Sequence, residues 1–372
     1  MANKLEVRIV NRQLVYQAVY MHDDMSKQEI SIATGLSIPT VAQNLKELAA
    51  MKLVETAGEF ESTGGRKATK ISCVYDTKYS VGIDITANHL TIVVIDLSTE
   101  VVIGIIRQQK KYVDSDRYYD YIVKELNEAL TEKKIKKESI LGVGISLPCI
   151  VDRKTNTVTY SRVIDAPSNI RDYFKSRLSM DVEIFNDANS AANAEVWRAG
   201  DTQGLFYIML SNSVGGAFIY DGTAYLGDNC RSCEVGHMRI VPKGKKCFCG
   251  ERGCSNAYCS ALVLADRCDG NLETFFDQLK NGSKECAKVF EEYLDYLAVT
   301  VMNVRHLYDC DVILGGYVGA YMSDYMDRLR MKVTDINPYE ENSDFLRPCK
   351  YKKEASAVGS ALVFIQDFMK NI

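Results

Sequence analysis

The sequence predicts an α/β protein in two parts, a winged helix-turn-helix over residues 1–75 and a two-lobed α/β body over residues 76–372. Three observations carry that prediction. Two short, capped helices joined by a glycine turn stand near the start. The apolar period then changes from helical to strand-like near Tyr79. From there strands alternate with crossover helices, the pattern of an α/β domain with a cleft. At 372 residues the chain exceeds one ordinary core, which also favours more than one unit.

In residues 9–20, Ile9, Leu14, Val15, Ala18 and Val19 fall near helical spacing. Ser26 and Glu29 form a capping-box pair for a second helix, which carries Ile30 and Ala33 on one face and ends at Thr34-Gly35. Ser37 caps the next helix, with Pro39 in its first turn. Ile38, Val41, Leu45 and Leu48 recur there as one buried stripe, opposite Thr40, Gln43, Asn44, Lys46 and Glu47. The segment "KLVETAGEFESTGGRKATKISCV" reads as a β-hairpin wing turning at Gly58, with Gly64-Gly65-Arg66 near its end.

This arrangement fits a DNA-binding head; a small helical bundle without a nucleic-acid role is the competing reading. Thr40, Gln43 and Asn44 are the residues expected to read base edges, since Gln and Asn pair with adenine in bidentate fashion. Lys46, Lys52 and Lys67 suit phosphates, and Arg66 suits a narrow minor groove. One short recognition helix reads few base pairs. A homodimer, or a dimer of dimers, on double-stranded palindromic operator DNA is therefore expected.

The body begins with two apolar strands around "DITANH", then the helical stretch "YYDYIVKELNEALTEKKI". "ILGVGISLPCIVD" is a buried strand, and "VEIFNDANSAANAEVWRAG" is a strand, a turn at Asn186-Asp187 and a helix. "GLFYIMLSNSVGGAFIYDGTAYLG" reads as a hairpin with glycines in its turn. A long helix, "CAKVFEEYLDYLAVTVMNVRHLYD", leads to the strand-turn "CDVILGGYVGAY", and "EASAVGSALVFIQDFM" is a closing helix returning to the first lobe.

Composition narrows the class. The chain is 47% hydrophobic and 25% charged with a formal net charge of −4, so it lacks a global basic field. Residues 1–70 hold nine Lys/Arg against eight Asp/Glu, and the remainder 36 against 41, so the head repels phosphate least. No apolar run reaches the roughly 18 residues that span a bilayer, and no signal peptide is evident, so a cytoplasmic protein with no membrane partner is expected. Twelve cysteines in a reducing compartment point to metal, burial or reactive thiols, and away from disulfides.

Four potential ligands cluster in "HMRIVPKGKKCFCGERGCSNAYCS": His237, Cys247, Cys249 and Cys254, spaced H-x9-C-x-C-x4-C. Three thiolates and one imidazole suit tetrahedral zinc, and a closed set of four makes the ion structural. Gly250 and Gly253 permit the tight knuckle. Incidental cysteines in a cysteine-rich chain are the alternative. Cys259 falls in the helix after the knuckle and is assigned to packing.

The stretch "CEVGHMRIVPKGKKCFCGERGC" resembles the E-x-G-H…C-x-C-G-x-x-G-C signature of the ROK family of repressors and sugar kinases. "VGIDITANHL", "GVGISLPCIVD", "FNDANSAANAE", "SNSVGGAFIYDG" and "VILGGYVGA" resemble its phosphate turns, sugar-side loop, N-D-A-N helix start and adenosine-side loop, over about residues 79–365. The resemblance implies a two-lobed actin-like (ribonuclease H-like) ATPase fold with zinc beside a sugar pocket, held by His237, Cys247, Cys249 and Cys254. The head resembles that of the family's repressors. Asn186, Asp187, Glu234, His237 and Asn256 match or adjoin its sugar-side positions, and Asp187 its kinase base position. Asn186 and Asp187 equally suit a helix N-terminus.

Departures from the family pattern separate regulator from kinase. D-I-G-G-T-K has become Asp84-Ile85-Thr86-Ala87-Asn88-His89, which loses both glycines that let backbone approach phosphate. The second turn, G-x-G-x-G-G, keeps only Gly215-Gly216. Cys149, Cys233 and Asn256 replace the family's usual residues on the sugar side. The expectation is a non-enzymatic, sugar-responsive transcriptional repressor binding a sugar or sugar derivative. An active ATP-dependent sugar kinase with a DNA-binding head, or a ligand-free DNA-binding dimer, are the alternatives.

Overall fold

The computed structural model describes residues 4–22, 24–60, 67–197 and 203–372. The head consists of α1 (Lys4–His22), α2 (Lys27–Thr34), α3 (Ile38–Ala50), β1 (Val54–Glu59) and β2 (Thr69–Cys73). Its helix starts form as the capping pattern dictates. Ser26 Oγ accepts the Glu29 N–H at 3.2 Å while Glu29 accepts the Ser26 N–H at 2.7 Å. Gly35 ends α2 in the left-handed region, and Ser37 caps α3 ahead of Pro39. Val15, Val19, Ile30, Val41, Leu45 and Leu48 make the head's core.

Two local expectations, at Ile38 and Gly58, need correction. Ile38 is 51% exposed, because it is the first residue of α3 and lies beyond the reach of α1 and α2. Leu14 also faces outward. Gly58 does not turn the wing: it lies inside β1, where pairing with β2 shifts register between Thr56 and Glu59. A glycine at positive φ is suited to such a bulge.

The first lobe holds β3 (Tyr79–Ile85), β4 (His89–Asp96), β5 (Val101–Gln109), α4 (Asp116–Glu132) and β6 (Ile140–Leu147). A small hairpin of β7 (Cys149–Asp152) and β8 (Thr157–Ser161) leads to α5 (Ile170–Leu178), β9 (Val182–Asn186) and α6 (Asp187–Val196). The second lobe starts with β10 (Gly204–Leu210), β11 (Val214–Tyr220), β12 (Thr223–Ala224), α7 (Asn256–Cys259) and α8 (Ala261–Ala265). It continues through α9 (Leu272–Lys280), α10 (Lys284–Tyr308), β13 (Asp311–Gly315), α11 (Gly316–Gly319), α12 (Met326–Asp335) and β14 (Leu346–Pro348). The last helix, α13 (Ala355–Lys370), packs back on the first lobe.

The two main sheets have one topology. Their orders are β5-β4-β3-β6-β9 and β12-β11-β10-β13-β14, each an antiparallel meander extended by two parallel crossover strands. Gly215 and Gly216 sit within β11, paired with Met209 and Ile208, and not in the β10–β11 turn as the sequence suggested. A Cβ on Gly216 would lie 2.7 Å from the Cys233 carbonyl oxygen, so the glycine admits a neighbouring loop, not a turn.

The same requirement seats α13. A Cβ on Gly82 of β3 would fall 1.9 Å from the Ala357 carbonyl oxygen, and one on Gly144 of β6 2.2 Å from that of Ser360. Ser80 Oγ donates to the Ala361 carbonyl at 2.8 Å, and Ser360 Oγ to that of Gly144 at 3.1 Å. Gly82→Ala should therefore destabilise the protein by about 2–3 kcal/mol through overpacking, read as a lower urea midpoint. An unchanged midpoint would mean that the helix can move off the sheet freely.

Candidate effector cleft and metal centre

The cleft between the lobes is built at the ends of their parallel strands. Asn186 ends β9 and caps α6, accepting the Asn189 N–H at 3.1 Å and donating to the Cys149 carbonyl at 3.1 Å. Its amide is thus engaged at both ends, and its main work is to fix β7 against α6. Asp187 opens α6, with one carboxylate oxygen accepting the Ala188 N–H. Burial, then the nearby Asp84 and Glu234 carboxylates, push its carboxyl up to about 7.

Across the cleft, the turn Val235–His237 is pressed against β11. A Cβ on Gly236 would meet the Val214 carbonyl oxygen at 2.1 Å. This close approach presents Glu234 and His237 to the cleft, whose cavity is about 450 Å³ and is lined by both, by Asn186 and by Asp187. Glu234 is raised by burial, against the opposing influence of His237 and Arg231. Asn256 does not reach the cavity. It is buried at the start of α7, where its Oδ1 accepts the Val214 N–H at 2.7 Å, so its assignment to ligand binding is corrected to support of β11.

Reading the sequence missed Arg162 and Arg231, which line the same cavity. Arg231 stands three residues before Glu234, so adjacency to the motif was a usable signal. Arg162 carried no such signal; its Nη1 donates to the Cys249 carbonyl at 3.1 Å, a contact made only by the fold.

His237 also faces the cysteine knuckle. The ligand atoms of His237, Cys247, Cys249 and Cys254 all lie within 4.8 Å of one another. Cys249 and Cys254 Sγ are 3.8 Å apart, close to the edge of a tetrahedron with metal–sulfur bonds of about 2.3 Å. The loop is held by its own backbone. Cys247 N donates to Glu251 O at 2.8 Å and Gly253 N to Lys245 O at 2.9 Å. Gly253 has φ +82°, and a Cβ there would lie 1.8 Å from the Val241 carbonyl oxygen. These four residues could hold a metal ion. Cys259 is fully buried beside Thr300, as assigned.

The opposite side of the cleft, toward Thr86 and Tyr317, is different. Thr86 closes its own turn, its N–H donating to the His89 carbonyl and its Oγ1 accepting the His89 N–H. The Tyr317 ring stands edge-on to His89 at 6.0 Å, and Gly316 N donates to the buried Tyr207 hydroxyl. About 50 Å³ remains among Thr86, Ala87, Ser211, Asn212, Gly316 and Tyr317.

On the head, Gln43, Lys46 and Lys67 are exposed. Gln43 Nε2 donates to Glu47 at 2.9 Å, and Thr40 Oγ1 shares a hydrogen bond with the Ser37 hydroxyl. Asn44 is only 4% exposed and donates to the Thr40 carbonyl, so it leaves the set of base-reading residues. Its position between Val41 and Leu48 turns it toward the core. Arg66 lies outside the described residues. No helix of the described chain is long and apolar enough to cross a membrane.

The raised Asp187 carboxyl has a consequence for stability. Because the folded protein holds this proton more tightly than the unfolded chain, its contribution is fully present below the unfolded value of 3.8 and is lost as pH rises through about 7. Asp187→Asn should flatten the fall in Tm between pH 5 and 8. Thermal melts of the two proteins with equal slopes over that range would assign the dependence elsewhere.

The family model described as the ROK family matches residues 80–367. The xylose repressor of Bacillus subtilis strain 168 is 24% identical over 100% of this chain and 99% of its own length. The N-acetylglucosamine repressor of Escherichia coli O157:H7 is 23% identical over 70% of this chain and 65% of its own. Among solved structures, a ROK family transcriptional regulator, a homologue of the E. coli MLC protein, aligns with TM-score 0.76 at 18% identity, over 98% of this chain and 97% of that one. The ROK hexokinase from Thermus thermophilus aligns with TM-score 0.63 at 20% identity, over 78% of this chain and 99% of that one. The kinase therefore matches the two-lobed body, and the regulator the head as well. With its actin-like body and its matching signature, this chain belongs to the ROK family.

Proposed function

We propose that the protein is a sugar-responsive transcriptional repressor of the cytoplasm, with a DNA-binding head over about residues 1–75 and an effector-binding body from about residue 76. The observation that carries this is the asymmetry of the cleft. The sugar side is an open cavity of about 450 Å³ with Asp187, Glu234 and His237 on its walls, whereas about 50 Å³ remains beside Thr86 and Ala87, which stand where the family's phosphate turn has two glycines. The relatives that span the whole chain are named xylose repressors, which supports the same reading. On this reading no phosphoryl transfer occurs. Asp187 and Glu234 accept sugar hydroxyls, and Gln43, Thr40, Lys46 and Lys67, with Arg66, meet operator DNA as part of a homodimer.

The effector acts by preferring one disposition of the two lobes, since a ligand shifts an equilibrium only by its differential affinity. Selection of bound genomic fragments, with and without a panel of sugars, tests this. Enrichment of one palindromic site that a sugar releases is expected. No enrichment, together with ATP-dependent sugar phosphorylation lost in Asp187→Asn, would favour the kinase reading. On an enriched site, Gln43→Ala should cost about 1–3 kcal/mol of base discrimination, and Lys46→Ala should weaken all sequences alike while lowering the salt slope by about one.

The knuckle fits a structural zinc ion, held by His237, Cys247, Cys249 and Cys254 with no position left for water. Bound there, zinc would supply fixed coordination and no catalysis. Elemental analysis should give about one zinc per chain. His237→Ala should lose both metal and thermal stability; retained metal at full stability would remove the assignment.

A further inference from the structure

We propose that the effector is an anionic sugar derivative, and that Arg162 and Arg231 grip its acidic group at the mouth of the cleft. This rests on the reading that the cleft binds a sugar, and it names the chemical class. Two guanidiniums line a cavity whose other charged groups are already accounted for. Glu251 is paired with Arg239 at 2.6 Å, and His237 faces the metal cluster. Asp187 and Glu234 offer acceptors, which suit the hydroxyls of any sugar. Arg231 also acts on the Glu234 carboxylate through its charge, but makes no contact with it closer than 4.0 Å.

Neither Arg162 nor Arg231 has a carboxylate within 4.0 Å among the described residues, and of the arginines that lack one these two line the cavity. Arg162 is nevertheless held in place, because one nitrogen donates to the Cys249 carbonyl. A guanidinium carries five N–H donors, so four of its own remain. Arg162 follows β8 of the first lobe, and Arg231 lies in the second-lobe loop before Glu234.

Closing the lobes on a neutral sugar would strip water from two cations and return only hydroxyl acceptors, which bond a guanidinium more weakly than an anion does. A carboxylate or phosphate between them satisfies both in charge-assisted hydrogen bonds. Because the two arginines come from opposite lobes, that anion also favours the closed disposition over the open one. The same acidic group thereby confers specificity and drives the change of state.

The test is calorimetric titration of the full-length protein with xylose and with matched sets of glucose, galactose, mannose and N-acetylglucosamine. Each set includes the neutral sugar and its 6-phosphate, and the first three also include the uronate. The expected result is that, in at least one set, an anionic member binds at least tenfold tighter than its neutral parent. Whether that member is the uronate or the phosphate identifies the acidic group. Arg162→Gln and Arg231→Gln, each checked for a native circular dichroism spectrum, should bring the ratio of anionic to neutral affinity below threefold. Neutral sugars binding as tightly as their anionic forms would overturn the proposal and leave the sugar reading intact. An anion preference that survives both substitutions would also overturn it. Binding of xylose alone, with none by any member of the sets, would overturn the proposal and keep the sugar reading; no binding by xylose or by any member would overturn both.

Discussion

One helix lies closer to its sheet than a methyl group allows, and much of the molecule depends on it. Where α13 crosses β3 and β6, Gly82 and Gly144 leave room for backbone carbonyls of the helix. On its other side, Gly359 meets the Ser190 carbonyl of α6 so closely that a Cβ would sit 1.6 Å from it. Asn193 of α6 donates to the Gly359 carbonyl, and Gln366 of α13 donates back to Asn193. Backbone packed against backbone deforms little, since no side chain can change rotamer to absorb a displacement. Helix α6 therefore moves with α13 or not at all. At the N-terminus of α6 stand Asn186 and Asp187, on the wall of the cleft.

The cleft itself is divided by chemistry. On one side, Tyr317, Tyr207 and the self-closed Thr86 turn occupy space with side chains that hydrogen-bond or pack among themselves. On the other, acidic acceptors and basic donors surround an open volume. The cysteine knuckle borders this open half, and the Arg162 bond to the Cys249 carbonyl joins the first lobe to it. The cysteine knuckle is thus a wall of the pocket as well as a local brace. His237 belongs to both, which is the arrangement expected where a ligand's surroundings fix its orientation.

Local rules were legible in the sequence, and long-range ones were not. The Ser26–Glu29 capping box, the Gly35 stop and the change of period at Tyr79 depend on neighbours within a few residues, and the structure follows them. The cluster of His237, Cys247, Cys249 and Cys254 was legible because its four members lie within one short stretch of the chain. Asn44 was misread because a polar residue on a short helix looks solvent-facing until the packing of α1 against α3 is known. Asn256 was misread for a similar reason, since its partner Val214 is 42 residues away. Gly58 and Gly215-Gly216 looked like turns, because glycine signals special backbone demand without saying whether a turn, a bulge or a close neighbour makes it.

The contact between head and body bears on how the molecule comes apart. Val15, Tyr16 and Leu53 of the head share one continuous apolar cluster with Val93, Ile95, Ala361 and Ile365 of the first lobe. The Gln13 side chain adds a hydrogen bond to the Lys370 carbonyl at the end of α13. A DNA-binding domain on a loose tether melts by itself and diffuses independently of its partner. Here the head's own core runs on into apolar side chains of the first lobe, so loss of the head exposes apolar surface of the lobe as well. The placement of α1, α2 and α3 is therefore tied to the body through this shared apolar seam.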